Sequence, residues 1–225
     1  MRVFKCALGF GVVPVVVALF LASCSLGPDF IAKDEPWRAE AERACLASLN
    51  LAKSSYLEPR SALGGPSVCG ALHPYDMSGT ITGRVKFAPA ATLQCQMIPT
   101  VDRWVSEVVE PAARRFYGAP LVELKVAASY SCRPMNGVAG SKLSEHGHAN
   151  AIDISGFQLA DGRLVTVKGG WKGSPADSDF LHAVHHGACD LFTTVLGPNA
   201  NAFHADHFHL DLARHGKAGT GHVCE

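Results

Sequence analysis

Apolar positions along the chain fall into two rhythms, and these rhythms set the expected elements. Trp37, Ala41, Ala44, Cys45, Leu49 and Ala52 recur at helical spacing, so residues 36–56 read as a helix. A second helix is expected over 101–117, with Thr100 as its cap, Val101, Trp104, Val105, Val108 and Ala112 as its stripe, and Gly118 as its stop. Pro111 falls inside that span, which calls for a kink or two segments. A third helix is expected over 179–196, where Phe180, Val184, Ala188, Leu191 and Val195 share a side before Pro198 and Asn199 end it. Strands are expected at 80–87, 121–130, 152–159, 164–167 and 204–212, with Asp161-Gly162 closing a hairpin between the third and fourth. Residues 57–76 read as a loop held through Cys69, and 131–137 as a turn. Without repeats, low-complexity runs or an internal linker, the simplest architecture is one α+β domain. Its small, mainly antiparallel sheet is flanked by helices.

Alternation within two of these strands sorts chemistry onto one face. In the last strand His207, His209 and Asp211 share a side, while Phe208, Leu210 and Leu212 share the other. Around Asp153 the pattern repeats, with Ala151, Asp153 and Ser155 opposite Ile152 and Ile154. If the two strands are neighbours, Asp153 and His209 converge, and His146 enters from the preceding loop. Gly147, Ala149 and Ala151 leave space beside the backbone. Two imidazoles and a carboxylate suit zinc, and three protein ligands leave a fourth position open, as catalytic sites do. A base must still accept a proton, and His207 and Asp206 are both candidates.

Composition narrows the function classes. The formal charge is zero and no Lys/Arg-rich run exists, so nothing favours nucleic acid as a partner. Of 11 histidines only His73 precedes residue 146, which points to a site in the second half. Arg2 and Lys5 precede a charge-free run over 7–22 that is short for a membrane span and suited to an export signal. Leu21-Ala22-Ser23-Cys24 resembles a bacterial lipobox, which makes 1–23 a lipoprotein signal peptide, 24–36 a tether, and 37–225 the folded domain. The expected location is the periplasmic side of the cell envelope, with lipid on Cys24 in the membrane. Ser25 after that cysteine favours the outer membrane over the inner. Six further cysteines, Cys45, Cys69, Cys95, Cys132, Cys189 and Cys224, imply three disulfides in an exported chain. No CxxC pair exists to suggest a thiolate metal site, and the sequence leaves the pairing open.

The segments Tyr130-Ser-Cys-Arg133, Ser144-Glu-His-Gly-His-Ala-Asn-Ala-Ile-Asp153, Leu196-Gly-Pro and His204-Ala-Asp-His-Phe-His-Leu-Asp211 carry a resemblance. Residues 45–224 are similar to the bacterial extensin-like C-terminal domain. Ser144-x-His146-x(6)-Asp153 with His207-x-His209 is also similar to the zinc peptidases that include D-Ala-D-Ala carboxypeptidases, lysostaphin-type endopeptidases and the hedgehog signalling domain. The resemblance implies His146, Asp153 and His209 as zinc ligands, His207 as a catalytic assistant, and Arg133 as a stabiliser of developing negative charge. It departs at Asp206, where the carboxypeptidases have glutamate, and at Ala149, where they have glycine. The shorter acid makes His207 the preferred base and Asp206 the second choice. His148 and His204 read as donors behind the ligands or as satisfied polar residues; His182, His185 and His186 read as structural. The function implied is a zinc-dependent peptidase or amidase acting on peptidoglycan peptides. The alternative is a non-catalytic zinc-containing or wall-binding envelope lipoprotein with a degenerate peptidase fold. A two-histidine, one-carboxylate iron site beginning at His204 is disfavoured, since only His215 and His222 follow as distant partners.

Overall fold

A computed structural model describes residues 28–48 and 54–225. The signal peptide, Cys24 and residues 49–53 of the expected first helix lie outside the described residues, while 54–56, also expected to be helical, form a turn closed by the Leu57 amide on the Ser54 carbonyl. Among those described, no helix is long and apolar enough to cross a membrane.

The core of the molecule is a nine-stranded sheet, larger than the small sheet expected from the sequence. Its strands are β1 (Leu57–Pro59), β4 (Tyr75–Gly79), β5 (Lys86–Leu93), β6 (Leu121–Ala128), β7 (Ala151–Leu159), β8 (Leu164–Thr166), β9 (Thr194–Leu196), β10 (Phe208–Asp211) and β11 (Val223–Cys224). They run in the order β1-β4-β5-β6-β7-β10-β9-β11, with β8 also paired to β7. Most neighbours are antiparallel; β5–β6 and β9–β11 are parallel. A separate pair, β2 (Leu63–Gly64) and β3 (Gly70–Ala71), sits within what the sequence suggested was a loop.

The helices are α1 (Trp37–Ser48), α2 (Met97–Trp104), α3 (Glu110–Tyr117), α4 (Val167–Gly170) and α5 (Pro175–Ala188). Residues 97–117 form two helical segments joined by a π-helical turn over Val105–Val109, and Pro111 lies in the first turn of α3. The wider π-helical turn just before it, where the Glu110 amide donates to the Val105 carbonyl, is the irregularity expected beside a proline that lacks an N–H for the ladder. Gly118 ends α3 at a φ of 66°, as expected of a glycine stop. Thr100 is not the cap: the helix begins at Met97, and the Thr100 hydroxyl donates to the Gln96 carbonyl at 3.1 Å. Met97 and Ile98 are fully buried, so the apolar stripe pulls the helix one turn earlier.

Two strand expectations also shift. Residues 80–87 do not form one strand; they turn between β4 and β5, pairing Gly79 with Lys86. Gly83 explains the turn, since its φ is +71° and a Cβ there would lie 2.0 Å from the Tyr56 ring. The helix expected over 179–196 starts earlier, capped by Ser174, and stops at Ala188. Thr194–Leu196 then forms β9 instead, because it pairs with β10 from Asp211↔Thr194 to His209↔Leu196. Long-range pairing outcompetes the local helical spacing.

Alternation along β7 and β10 works as the sequence implied. Ile152, Ile154, Phe208 and Leu210 are fully buried on the helix side, packing with Trp104, Phe157 and Phe180. The Trp104 indole donates to the Val184 carbonyl at 3.0 Å, fastening α2 to α5. Disulfides Cys45–Cys95, Cys69–Cys132 and Cys189–Cys224 tie α1 to the turn before α2, the 57–71 segment to the turn after β6, and α5 to β11. The three-disulfide expectation holds, and the pairing that the sequence left open is resolved.

Candidate metal centre

The antiparallel register of β7 and β10 sets Asp153 directly opposite His209. Their side chains emerge on the face away from the helices. Asp153 Oδ1 lies 2.9 Å from His209 Nδ1, and its Oδ2 lies 3.1 Å from His146 Nε2. His146 arrives from a short 3-10 turn, Glu145–His148, capped by Ser144. Ala149 then leaves that turn at φ 53°, a left-handed conformation that costs a non-glycine residue about 1–2 kcal/mol. Alanine fits because its small side chain is fully buried.

Each histidine is oriented from behind. His146 Nδ1 donates to the Ser129 carbonyl at 2.5 Å, at the end of β6, leaving Nε2 aimed at Asp153. That Nε2 is buried and, although near Asp153, lies off the line of a hydrogen bond, so it has no hydrogen-bond partner. His209 Nε2 donates to Asp211 Oδ2 at 2.9 Å, while Asp211 Oδ1 accepts from the Ala213 amide at 2.9 Å. Such carboxylate and carbonyl partners are what hold metal-ligating imidazoles in one tautomer.

Electrostatics show how tightly the cluster is coupled. Burial opposes charge on Asp153, but His146 and His209 outweigh it and hold its carboxyl well below the usual carboxylate range. Burial likewise opposes protonation of His209, yet Asp153 and Asp211 push it up to about 10. Without a metal, the cluster is an imidazolium held between two carboxylates.

A metal can replace that proton. Donors about 2.0–2.1 Å from a tetrahedral zinc sit roughly 3.3 Å apart. The donor atoms of His146, Asp153 and His209 all lie within 4.8 Å of one another. Two imidazoles, one of them with an orphaned Nε2, and one carboxylate fit zinc in number, type and spacing. A second grouping, His185 with Cys189 and Cys224, does not qualify, because the two sulfurs are bonded to each other.

The cluster opens into a cavity of about 790 Å³. His207 lies at its edge, with Nδ1 2.9 Å from Asp206 Oδ1 and Nε2 3.6 Å from Asp153 Oδ2. The Asp206 side chain is 60% exposed and turned toward His207. Arg133 also lines the cavity, and among the described residues its guanidinium has no ion-pair or hydrogen-bond partner. His204 lines the cavity too. Its Nδ1 donates to Asn201 Oδ1 at 2.8 Å, and its ring centre is 5.3 Å from that of His207. Burial, then His209 and His207, lower its pKa to about 4. His148 is buried against Arg38 rather than against a ligand, and burial with that cation lowers its pKa to about 4.

The three remaining candidates are structural or peripheral, as the sequence suggested. His182 stacks on Trp171 at 3.9 Å, His185 is buried against Trp171 and Phe208, and His186 is exposed. Sequence reasoning missed Ser129 and gave Asp211 no role beyond its shared face with His209. The i+2 spacing of Asp211 from His209 was the available signal. Ser129 offered none, since it contributes a backbone carbonyl.

No curated protein and no solved structure matches the chain. One family model, extensin-like protein C-terminus, matches residues 43–225, a span that includes the candidate ligands His146, Asp153 and His209 together with His207, Asp206 and Arg133. The chain belongs to the extensin-like C-terminal domain family.

Proposed function

We propose that this protein is a zinc-dependent peptidase or amidase that cleaves peptidoglycan peptides at the bacterial cell envelope. One observation supports this reading most. The His146–Asp153–His209 donor set shares a cavity wall with His207, whose Nδ1 faces Asp206 from outside that wall, and with the unpartnered Arg133. Kinship with the wider zinc-peptidase superfamily belongs to the same proposal and rests on the spacing of those motifs. So do export and a lipid tether on Cys24, on the periplasmic side and preferably at the outer membrane; the N-terminal pattern supports them.

When bound, zinc supplies Lewis-acid chemistry toward an amide carbonyl and toward water. The protein's part is to orient and to move protons. Asp206 accepts the Nδ1–H of His207, which leaves Nε2 as the basic nitrogen facing the cluster. His207 then takes a proton from the attacking water and returns it to the leaving amine. Asp206 is thus a positioning residue, a task its shorter side chain can perform from the adjacent position. Arg133 offers a planar, permanently charged fork to negative charge that builds on the substrate. Asp211 and Ser129 keep the ligand imidazoles in their metal-binding tautomers.

Purified peptidoglycan incubated with the zinc-loaded protein, with products read by mass spectrometry, tests this. Zinc-dependent release of peptide fragments, lost in His207→Ala, is the expected result. No cleavage by the wild type at any metal loading would overturn it in favour of a non-catalytic zinc-containing or wall-binding module.

A further inference from the structure

The segment that precedes the family-matched region is built into the metal centre. Residues 29–31 run alongside the turn that leads to His146: the Ile31 amide donates to the Ser141 carbonyl at 2.8 Å, and the Gly140 amide to the Asp29 carbonyl at 2.6 Å. Phe30 is buried in a small cluster with Cys69 and Leu143. Leu143 in turn packs under Gly147, where a Cβ would lie 2.6 Å from its side chain. Ile31, Lys33, Glu35 and Arg38 also line the cavity that contains the cluster.

Arg38 makes the decisive contact. Its Nη1 and Nη2 reach the two oxygens of Glu145 at 2.8 and 2.7 Å, a bidentate pair across 107 residues of sequence. Both side chains are largely buried, at 13% and 14% exposed. Glu35 supports the guanidinium from the other side at 2.8 Å, and Trp37 is sandwiched between Arg38 and Arg214. Glu145 is the residue immediately before His146. Its Oε2 also accepts from Asn150 Nδ2 at 2.5 Å, and its carbonyl from the Asn150 amide at 3.0 Å. The ligand turn is therefore closed on itself through Glu145, and Glu145 is held by Arg38.

We infer that Arg38, which lies before the matched domain, is a positioning residue for the ligand His146, so that the strap over residues 29–38 is part of the metal centre. This rests on His146, Asp153 and His209 forming a metal site. Loss of the fork leaves Glu145 held by Asn150 alone and loosens the turn that carries His146. Groups hydrogen-bonded directly to a metal ligand are worth about 10–100-fold in metal affinity, and Arg38 acts one residue further out, through Glu145.

The test is zinc affinity of the full mature chain, measured by competition with a chelator of known affinity, alongside melting of the metal-free protein. Arg38→Gln is expected to weaken zinc binding by about 10-fold, the low end of the range for direct ligand partners. Arg38→Lys keeps the charge without the planar fork and should fall between that variant and the wild type. It also serves if the glutamine variant fails to fold. Arg60→Gln, which removes an exposed ion pair with Asp76, should leave affinity unchanged. If the wild type binds zinc and both Arg38 variants bind within twofold of it, whatever their melting temperatures, the inference is overturned alone. A wild type that takes up no zinc overturns the metal reading, and this inference with it.

Discussion

Replacing Asp211 by Asn leaves the shape of the site almost unchanged and reverses one proton position. In the wild type, Asp211 Oδ2 accepts from His209 Nε2 and Oδ1 accepts from the Ala213 amide. An asparagine has one oxygen, and it can serve only one of these donors. If the oxygen stays on the Ala213 amide, the side-chain NH₂ faces His209 Nε2. Two donors then oppose each other, and the ring relieves the clash by moving its proton to Nδ1. That is the atom 2.9 Å from Asp153, whose lone pair the metal needs. If the amide flips instead, the part-buried Ala213 N–H loses its acceptor, a cost at the low end of the roughly 1–3 kcal/mol of a fully buried donor. Either outcome taxes the metal-bound state. We expect zinc affinity to fall by about 10–100-fold, or roughly 1.4–2.8 kcal/mol. Chelator competition at neutral pH measures this, and circular dichroism checks that the metal-free fold persists. A variant that folds and binds zinc within twofold of the wild type would refute the assignment of Nδ1 as the donor of His209.

Two further outcomes follow from the scaffold. Removing the Cys189–Cys224 bridge by double alanine substitution frees a 35-residue separation and should cost about 4 kcal/mol in denaturant unfolding. Destabilisation below about 1 kcal/mol would mean that the pairing of β11 with β9 needs no staple. His185 is buried, and burial outweighs its hydrogen bond to the Glu225 carbonyl in lowering its pKa. A base whose folded pKa is depressed contributes stability that is complete above its unfolded value, near ~6.5, and is lost as pH falls below it. Between pH 7 and 5, therefore, the wild type should lose more stability than His185→Gln, as read from urea midpoints at each pH. Parallel losses in the two proteins would show that His185 titrates alike in both states.

The parts legible in the sequence were those governed by alternation and by short spacing. Period-two patterns around Asp153 and His209 sorted each onto a polar face, and the structure adds the adjacency of β7 and β10 that sets the two directly opposite. The hairpin through Asp161-Gly162 and the interruption near Pro111 were readable for the same local reasons. Where long-range contacts decide, the reading failed. Leu191 and Val195 continue a helical spacing, yet β10 offers residues 194–196 a ladder, and the helix stops six residues earlier. The turn at Gly83 is set by Tyr56, 27 positions away and invisible to a local window. Arg38 shows the same limit at the site, because nothing near residue 38 announces a partner at Glu145. The disulfide pairing is also a product of topology, and spacing alone could not choose it.

Metal content of the purified mature protein, read by plasma mass spectrometry after exhaustive dialysis, tests the central claim most directly. The account predicts one zinc per chain, lost on changing His146, Asp153 or His209 to alanine and retained in His182→Ala. A wild type without bound zinc after reconstitution, or one whose zinc survives all three ligand substitutions, would contradict it.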